Sequence, residues 1–83
     1  MRMLYFAWVR EQVGTGEEVV SPPADVASVA ALIDWLAERS AGHAAALADR
    51  SSLRAAVDGV FVPLDASVAD AAEVALFPPV TGG

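Results

Sequence analysis

With 83 residues, a net charge of −6 and 55% hydrophobic content, the sequence describes one small acidic domain in which alanine inflates the apolar fraction and Val, Leu, Ile, Phe and Trp must build the core. The absence of cysteine excludes disulfides, thiolate metal sites and a cysteine nucleophile, and the acidic balance disfavours nucleic acid or an anionic membrane as partner and favours a basic protein cleft. The apolar run at Met3 to Val9 is too short for a secretory leader and no run approaches the roughly 20 residues that cross a bilayer, so a cytoplasmic protein is expected.

Met3 to Val9 is apolar at every position and is predicted to form a central strand with faces Met3/Tyr5/Ala7/Val9 and Leu4/Phe6/Trp8. Val13-Gly14-Thr15-Gly16 supplies turn chemistry, and Glu17 to Ser21 returns as an antiparallel partner, giving a hairpin with a loose loop. After Pro22-Pro23, Ser28 is placed to cap a helix whose core stripe is Val29, Leu32, Ile33 and Leu36, ending at Ser40-Ala41-Gly42. The Ala-rich segment His43 to Asp49 predicts a short second helix or turn anchored by Leu47. Asp58-Gly59 joins Leu53 to Val57 and Val60 to Val62 as a tight hairpin. Asp65 to Ala72 is a polar connection, and Glu73 to Phe77 is a last strand, with Val74 and Leu76 on one face, Ala75 and Phe77 on the other, stopped by Pro78-Pro79.

This order implies an α+β fold, a mixed sheet crossed by one main helix with the first and last strands central and parallel to each other, which is the order of a ubiquitin-like β-grasp. Residues 1–77 would form the domain and 78–83 an extended tail, stiffened at its exit by the two prolines. The tail ends in Gly82 and Gly83. Glycine lacks a Cβ, so such an ending can thread a narrow channel and present its carboxylate to groups held by another protein.

Two stretches, Phe6-Ala7-Trp8-Val9-Arg10-Glu11-Gln12-Val13-Gly14 and Glu73-Val74-Ala75-Leu76-Phe77-Pro78-Pro79-Val80-Thr81-Gly82-Gly83, closely resemble the small subunits of molybdopterin synthase, a family of β-grasp sulfur carriers. The likeness spans nearly the whole chain, and the Phe-Pro-Pro-Val-Thr-Gly-Gly ending is far more specific than Gly-Gly alone. It implies that an E1-like adenylyltransferase activates the Gly83 carboxylate with ATP, that sulfur replaces AMP to leave a thiocarboxylate, and that the synthase large subunit uses this sulfur to build a dithiolene. No cofactor would be bound by this chain, ATP being used by the activating partner, and the implied assembly is a hetero-oligomer, a heterotetramer with two carriers flanking a large-subunit dimer. Gly83 and Gly82 are then the reacting end, and Phe6, Arg10, Phe61, Phe77, Pro78, Pro79, Val80 and Thr81 the candidate partner-binding residues, the aromatic and Arg members being the kind that anchor interfaces. Strand alternation by itself favours core places for Phe6 and Phe61, favours exposure for Phe77 beside the exit, and leaves Arg10 equally a solvated strand end. Alternatives left open are a carrier for thiamine or another sulfur-containing product, a ubiquitin-like modifier that forms isopeptide bonds to target lysines, and a non-reactive β-grasp interaction module.

Other signals read as structural. Gly14-Thr15-Gly16 lacks the further Gly and Lys of a phosphate loop. His43 has no Cys partner and is expected as a surface helix residue, and Ser40, His43 and Asp49 make no recognisable triad. Asp34 and Glu38, one helical turn apart, should repel mildly with Arg39 as a screen, and Trp35 should flank the core stripe. The chain contains no lysine, which reads first as compositional bias and also leaves an activated tail few nucleophiles within its own chain.

Overall fold

The computed structural model describes residues 1–79; the candidate residues Val80, Thr81, Gly82 and Gly83 lie outside the described residues. Strand β1 (Arg2–Tyr5) pairs antiparallel with β2 (Glu17–Val19) and parallel with β5 (Glu73–Phe77). On the other side of β5, β3 (Arg54–Val57) pairs antiparallel with it and forms a hairpin with β4 (Val60–Val62). The sheet order is β2-β1-β5-β3-β4, so the last strand is the middle one and the first its neighbour. This is the mixed sheet expected from the element order.

Its inner face carries Met3 and Tyr5 of β1, Ala55 of β3, and Val74 and Leu76 of β5, all buried in one core. Helix α2 (Val29–Ala37) lies on that core through Val29, Leu32, Ile33 and Leu36, the stripe set by its 3.6-residue period. Ser28 caps it as anticipated, its Oγ accepting the Ala31 N–H at 3.1 Å. At the Asp58-Gly59 turn both residues adopt positive φ, 49° and 83°, the combination a two-residue hairpin requires. The Asp58 carboxylate also accepts the Ala72 and Glu73 N–H groups at 3.0 and 2.9 Å, tying this turn to the start of β5.

Two segments depart from the sequence-based expectation. The strand predicted over Met3 to Val9 ends at Tyr5, and helix α1 (Ala7–Val13) occupies the rest of that run and the start of the expected hairpin loop. The apolar run carried no periodicity to separate strand from helix, whereas Arg10-Glu11-Gln12 followed by Gly14 is a helix C-terminus signature. Gly14 sits at φ 99° and its N–H closes on the Arg10 carbonyl at 2.9 Å. Val9 faces the core while Phe6 and Arg10 do not. The chain turns from strand to helix through Ala7, held at φ 52°, a region costly for a residue with a Cβ.

The second departure is at Ser40-Ala41-Gly42. Helix α2 already ends at Ala37, and Ser40 opens helix α3 (Ala41–Ala46), its Oγ accepting the His43 N–H at 3.1 Å. Gly42 is required there, because a Cβ would lie 2.4 Å from the Gln12 carbonyl oxygen at the end of α1. Leu47 anchors this region in the core, as anticipated.

Candidate functional site

The parallel pairing of β1 with β5 fixes where the last strand ends. Registers run from Arg2 opposite Glu73 to Tyr5 opposite Leu76, and the Phe6 N–H donates to the Leu76 carbonyl at 3.3 Å. Phe6 therefore stands beside the point at which β5 gives way to Pro78 and Pro79. These two prolines, half-buried, remove backbone donors and end the sheet there.

Among the described residues, no helix lies over the outer face of the sheet. Leu4 lies beside Ala75, Ala75 beside Ala56, Ala56 beside Phe61, and Arg54 beside Phe77 across successive strand pairs. All of these except Arg54, together with Phe6 and Pro78, line a shallow apolar pocket beside the end of β5. Phe61 is 77% exposed and Phe6 49% exposed, which corrects the core places that alternation favoured for both. Phe61 points outward because it lies opposite Ala56, on the outer face of the edge strand β4, and Phe6 because the chain leaves the strand register one residue earlier. Phe61 and Phe77 pack against each other with ring centroids 5.4 Å apart and planes tilted by 42°. An apolar patch of this kind, left uncovered next to a chain exit, is the form an interaction surface takes.

Arg10 belongs to the same end of the molecule but on helix α1, correcting the strand end expected for it. It lines a groove with Thr15 and Gly16 that shares Leu4 and Phe6 with the apolar pocket. Arg54, which sequence reasoning did not single out, flanks the opposite margin beside Phe61 and Phe77. Its place was readable only from the β3–β5 register. Of the predicted residues, the fold thus gathers Phe6, Arg10, Phe61, Phe77 and Pro78 around one exit, with Pro79 following.

A second polar assembly lies within the domain. His43 is 8% exposed and not the surface residue expected from its Ala-rich segment. Its Nε2 approaches the Glu18 Oε2 at 2.6 Å, its Nδ1 the Ser40 Oγ at 2.7 Å, and the Tyr5 hydroxyl donates to the same Glu18 oxygen at 2.7 Å. Arg39 approaches the other Glu18 oxygen at 3.7 Å and stacks 5.3 Å from the Trp35 ring centre, so it serves Glu18 rather than screening Asp34 from Glu38. Asp34 is paired with Arg50 instead. Burial pushes the Glu18 carboxyl up, but hydrogen bonds from His43 and Tyr5 and the neighbouring positive charges outweigh it and hold Glu18 below the ordinary carboxylate value. Burial, reinforced by Glu18, pushes the Tyr5 hydroxyl well above the usual phenol range. Sequence periodicity could not find this assembly, since its members are spread from residue 5 to residue 43 and meet only through packing. Among the described residues no group of three or more His, Cys, Asp or Glu side chains could hold a metal ion, and no helix is long and apolar enough to cross a membrane.

Comparison with known proteins places this geometry in context. The profile of the ThiS family matches residues 3–83. The molybdopterin synthase sulfur carrier subunit of Escherichia coli strain K12 is 46% identical over 83 residues, covering 100% of this chain and 99% of its own. The subunit of the same name from Haemophilus influenzae is 34% identical over the same coverage. Among solved structures, SAMP1 from Haloferax volcanii superposes with a TM-score of 0.71 at 29% identity, covering 100% of this chain and 98% of that one. A putative molybdopterin converting factor subunit 1 from Pyrococcus furiosus gives 0.72 at 28% identity, with 95% of each chain covered.

Proposed function

The chain belongs to the ThiS family, and on that basis we propose that it is a sulfur-carrier subunit of molybdopterin synthase whose Gly83 carboxylate is the reacting group. The observation that carries this reading is the full-length likeness to two molybdopterin synthase sulfur carrier subunits, in a chain whose central strand runs out beside an uncovered aromatic face.

A carboxylate is a poor electrophile because its charge is delocalised. In the proposed sequence the Gly83 carboxylate attacks the α-phosphorus of ATP at an E1-like partner, expelling pyrophosphate, and a sulfur nucleophile then displaces AMP to leave a thiocarboxylate. That species is anionic and nucleophilic at sulfur, and it attacks a precursor held by the large subunit. The carrier contributes positioning and no catalytic pocket. Docking of the Phe6, Phe61 and Phe77 face fixes the domain, the prolines aim the tail, and the glycines admit it to a narrow channel, so that an encounter becomes an oriented contact. The acidic domain suits basic partner surfaces around such channels.

Intact-mass measurement after incubation with an E1-like adenylyltransferase, ATP and a sulfur donor tests the reading: a gain of about 16 Da on the C-terminal peptide, from oxygen replaced by sulfur, is expected. A chain lacking Gly83 that keeps its fold should show no gain and support no dithiolene formation. Dithiolene formation by that shortened chain in a purified system would refute the assignment.

A further inference from the structure

The five arginines of this acidic chain are unequally used. Arg2 pairs with Glu73 and Glu17, Arg39 with Glu18, and Arg50 with Asp34. Arg10 and Arg54 have no carboxylate partner among the described residues, and they stand on opposite margins of the aromatic pocket at the chain exit. In a domain with more than twice as many acidic as basic side chains, these two guanidinium groups stand out as unpaired, even though Glu11 and Glu17 line grooves with Arg10 and Glu73 lines the pocket.

Arg54 is the more informative of the two. It lies opposite Phe77 in the β3–β5 register, on the outer face. Its Nη1 donates to the Leu53 carbonyl at 2.8 Å and reaches the Ser51 carbonyl at 3.4 Å. One corner of the guanidinium is therefore held by backbone, while the Nε and Nη2 edge has no acceptor among the described residues. That edge offers two parallel N–H groups at the spacing of a carboxylate, and the ordering that such a bond needs is partly made in advance.

We propose that Arg54 is an ionic anchor for the synthase large subunit, receiving a carboxylate that this partner presents beside the apolar group filling the Phe61–Phe77 pocket. The inference rests on the carrier reading above and deepens it by giving the chemistry of the docking partner at this corner. The partner is basic where it meets the acidic body of the domain, and acidic at the exit. This alternation of sign fixes the rotation of the domain about its tail, which an apolar patch alone leaves loosely defined. Arg10, across the pocket, supplies a second positive point for the same orientation.

The test measures binding of the full chain to purified molybdopterin synthase large subunit by titration calorimetry, at about 50 mM and about 300 mM salt, conditions between which the screening length shortens by a factor of about 2.4. Arg54→Glu is expected to weaken binding by about tenfold or more at low salt and by less at high salt, and Arg54→Lys to recover only part of the loss, because an ammonium cannot make two parallel bonds. Arg2→Gln, which removes an arginine already paired within the chain, should bind within about twofold of the parent. Circular dichroism checks that each variant is folded. If Arg54→Glu binds like the parent at both salt concentrations while Phe61→Asp abolishes binding, the docking face stands and the anchor is overturned. If neither substitution matters, or if the parent chain does not bind the large subunit, the carrier reading of this face fails and the anchor falls with it. Self-association of the parent chain that Arg54→Glu removes would assign the corner to a second copy and likewise overturn the proposal.

Discussion

Replacing Glu18 by alanine should destabilise this domain far more than its position on a short edge strand suggests. The side chain takes the Tyr5 hydroxyl and the His43 Nε2 on one oxygen, at 2.7 and 2.6 Å. An ionised carboxylate can only accept, so both partners must donate. Alanine leaves two donors without an acceptor, on residues that are 1% and 8% exposed. Each orphaned buried donor costs about 1–3 kcal/mol, and because the Glu18 side chain itself is 18% exposed, water can reach part of the gap, so the low end of the combined range of about 2–6 kcal/mol, about 2–3 kcal/mol, is expected. A domain of this size has a total stability of only about 4–12 kcal/mol. The midpoint of thermal unfolding should therefore fall by roughly 10–20 °C. Tyr5→Phe, which removes one donor and leaves Glu18 its other partners, should cost only about 1 kcal/mol. Urea unfolding followed by far-ultraviolet circular dichroism measures both. A Glu18→Ala chain within about 0.5 kcal/mol of the parent would show that the assembly is not what holds β2 to α3, and the reasoning would be refuted.

Further outcomes follow from individual contacts. Because the Glu18 carboxyl is held below its ordinary value in the folded state, its stabilisation is complete above the unfolded-state value near 4.5 and is lost as pH falls through the folded one; unfolding free energies measured downward from pH 6 should fall more steeply for the parent than for Glu18→Gln. Tyr5 shifts the other way: its raised value means stability is kept below the ordinary phenol value of 10.0 and lost as pH rises beyond it, and since Tyr5 is the only tyrosine, phenolate absorbance near 295 nm should appear together with unfolding and not before it. Gly42→Ala should destabilise by about 1–3 kcal/mol in chemical denaturation despite alanine's better helix propensity, because its Cβ collides with the Gln12 carbonyl oxygen on the backbone of α1. Asp58→Ala should cost about 1–2 kcal/mol by the same measurement, since the Ala72 and Glu73 N–H groups lose their acceptor and the residue must still adopt positive φ.

Much of the fold was legible from local chemistry. The Asp58-Gly59 turn, the Ser28 cap and the Val29, Leu32, Ile33, Leu36 stripe each state their structure within a few residues, and the structure has them where expected. The alternation of Glu73 to Phe77 likewise separates the buried Val74 and Leu76 from the outer Phe77. The run from Met3 to Val9 is apolar at every position and so does not separate strand from helix; only the residues after it, Arg10 to Gly14, carry the helix signature. Phe6 and Phe61 were tipped toward the core because aromatic residues in strands usually find one. Their exposure follows from features with no local signature: the strand ends before Phe6, and among the described residues no helix covers the sheet face that carries Phe61.

The sequence by itself determined the chemical possibilities: no thiol, no lysine amine, an acidic surface, and an ending of two glycines behind two prolines, all properties of residue identity that no fold can alter. Tertiary structure decided which residues stand together. Parallel pairing of strands more than seventy residues apart brings Phe6 to the side of Phe77, antiparallel pairing sets Arg54 opposite the same residue, and packing of α3 against α1 and α2 makes a histidine expected at the surface the buried partner of Glu18. These juxtapositions are set by the burial of one continuous core, a sum over the whole chain, and therefore cannot be read from any window of it.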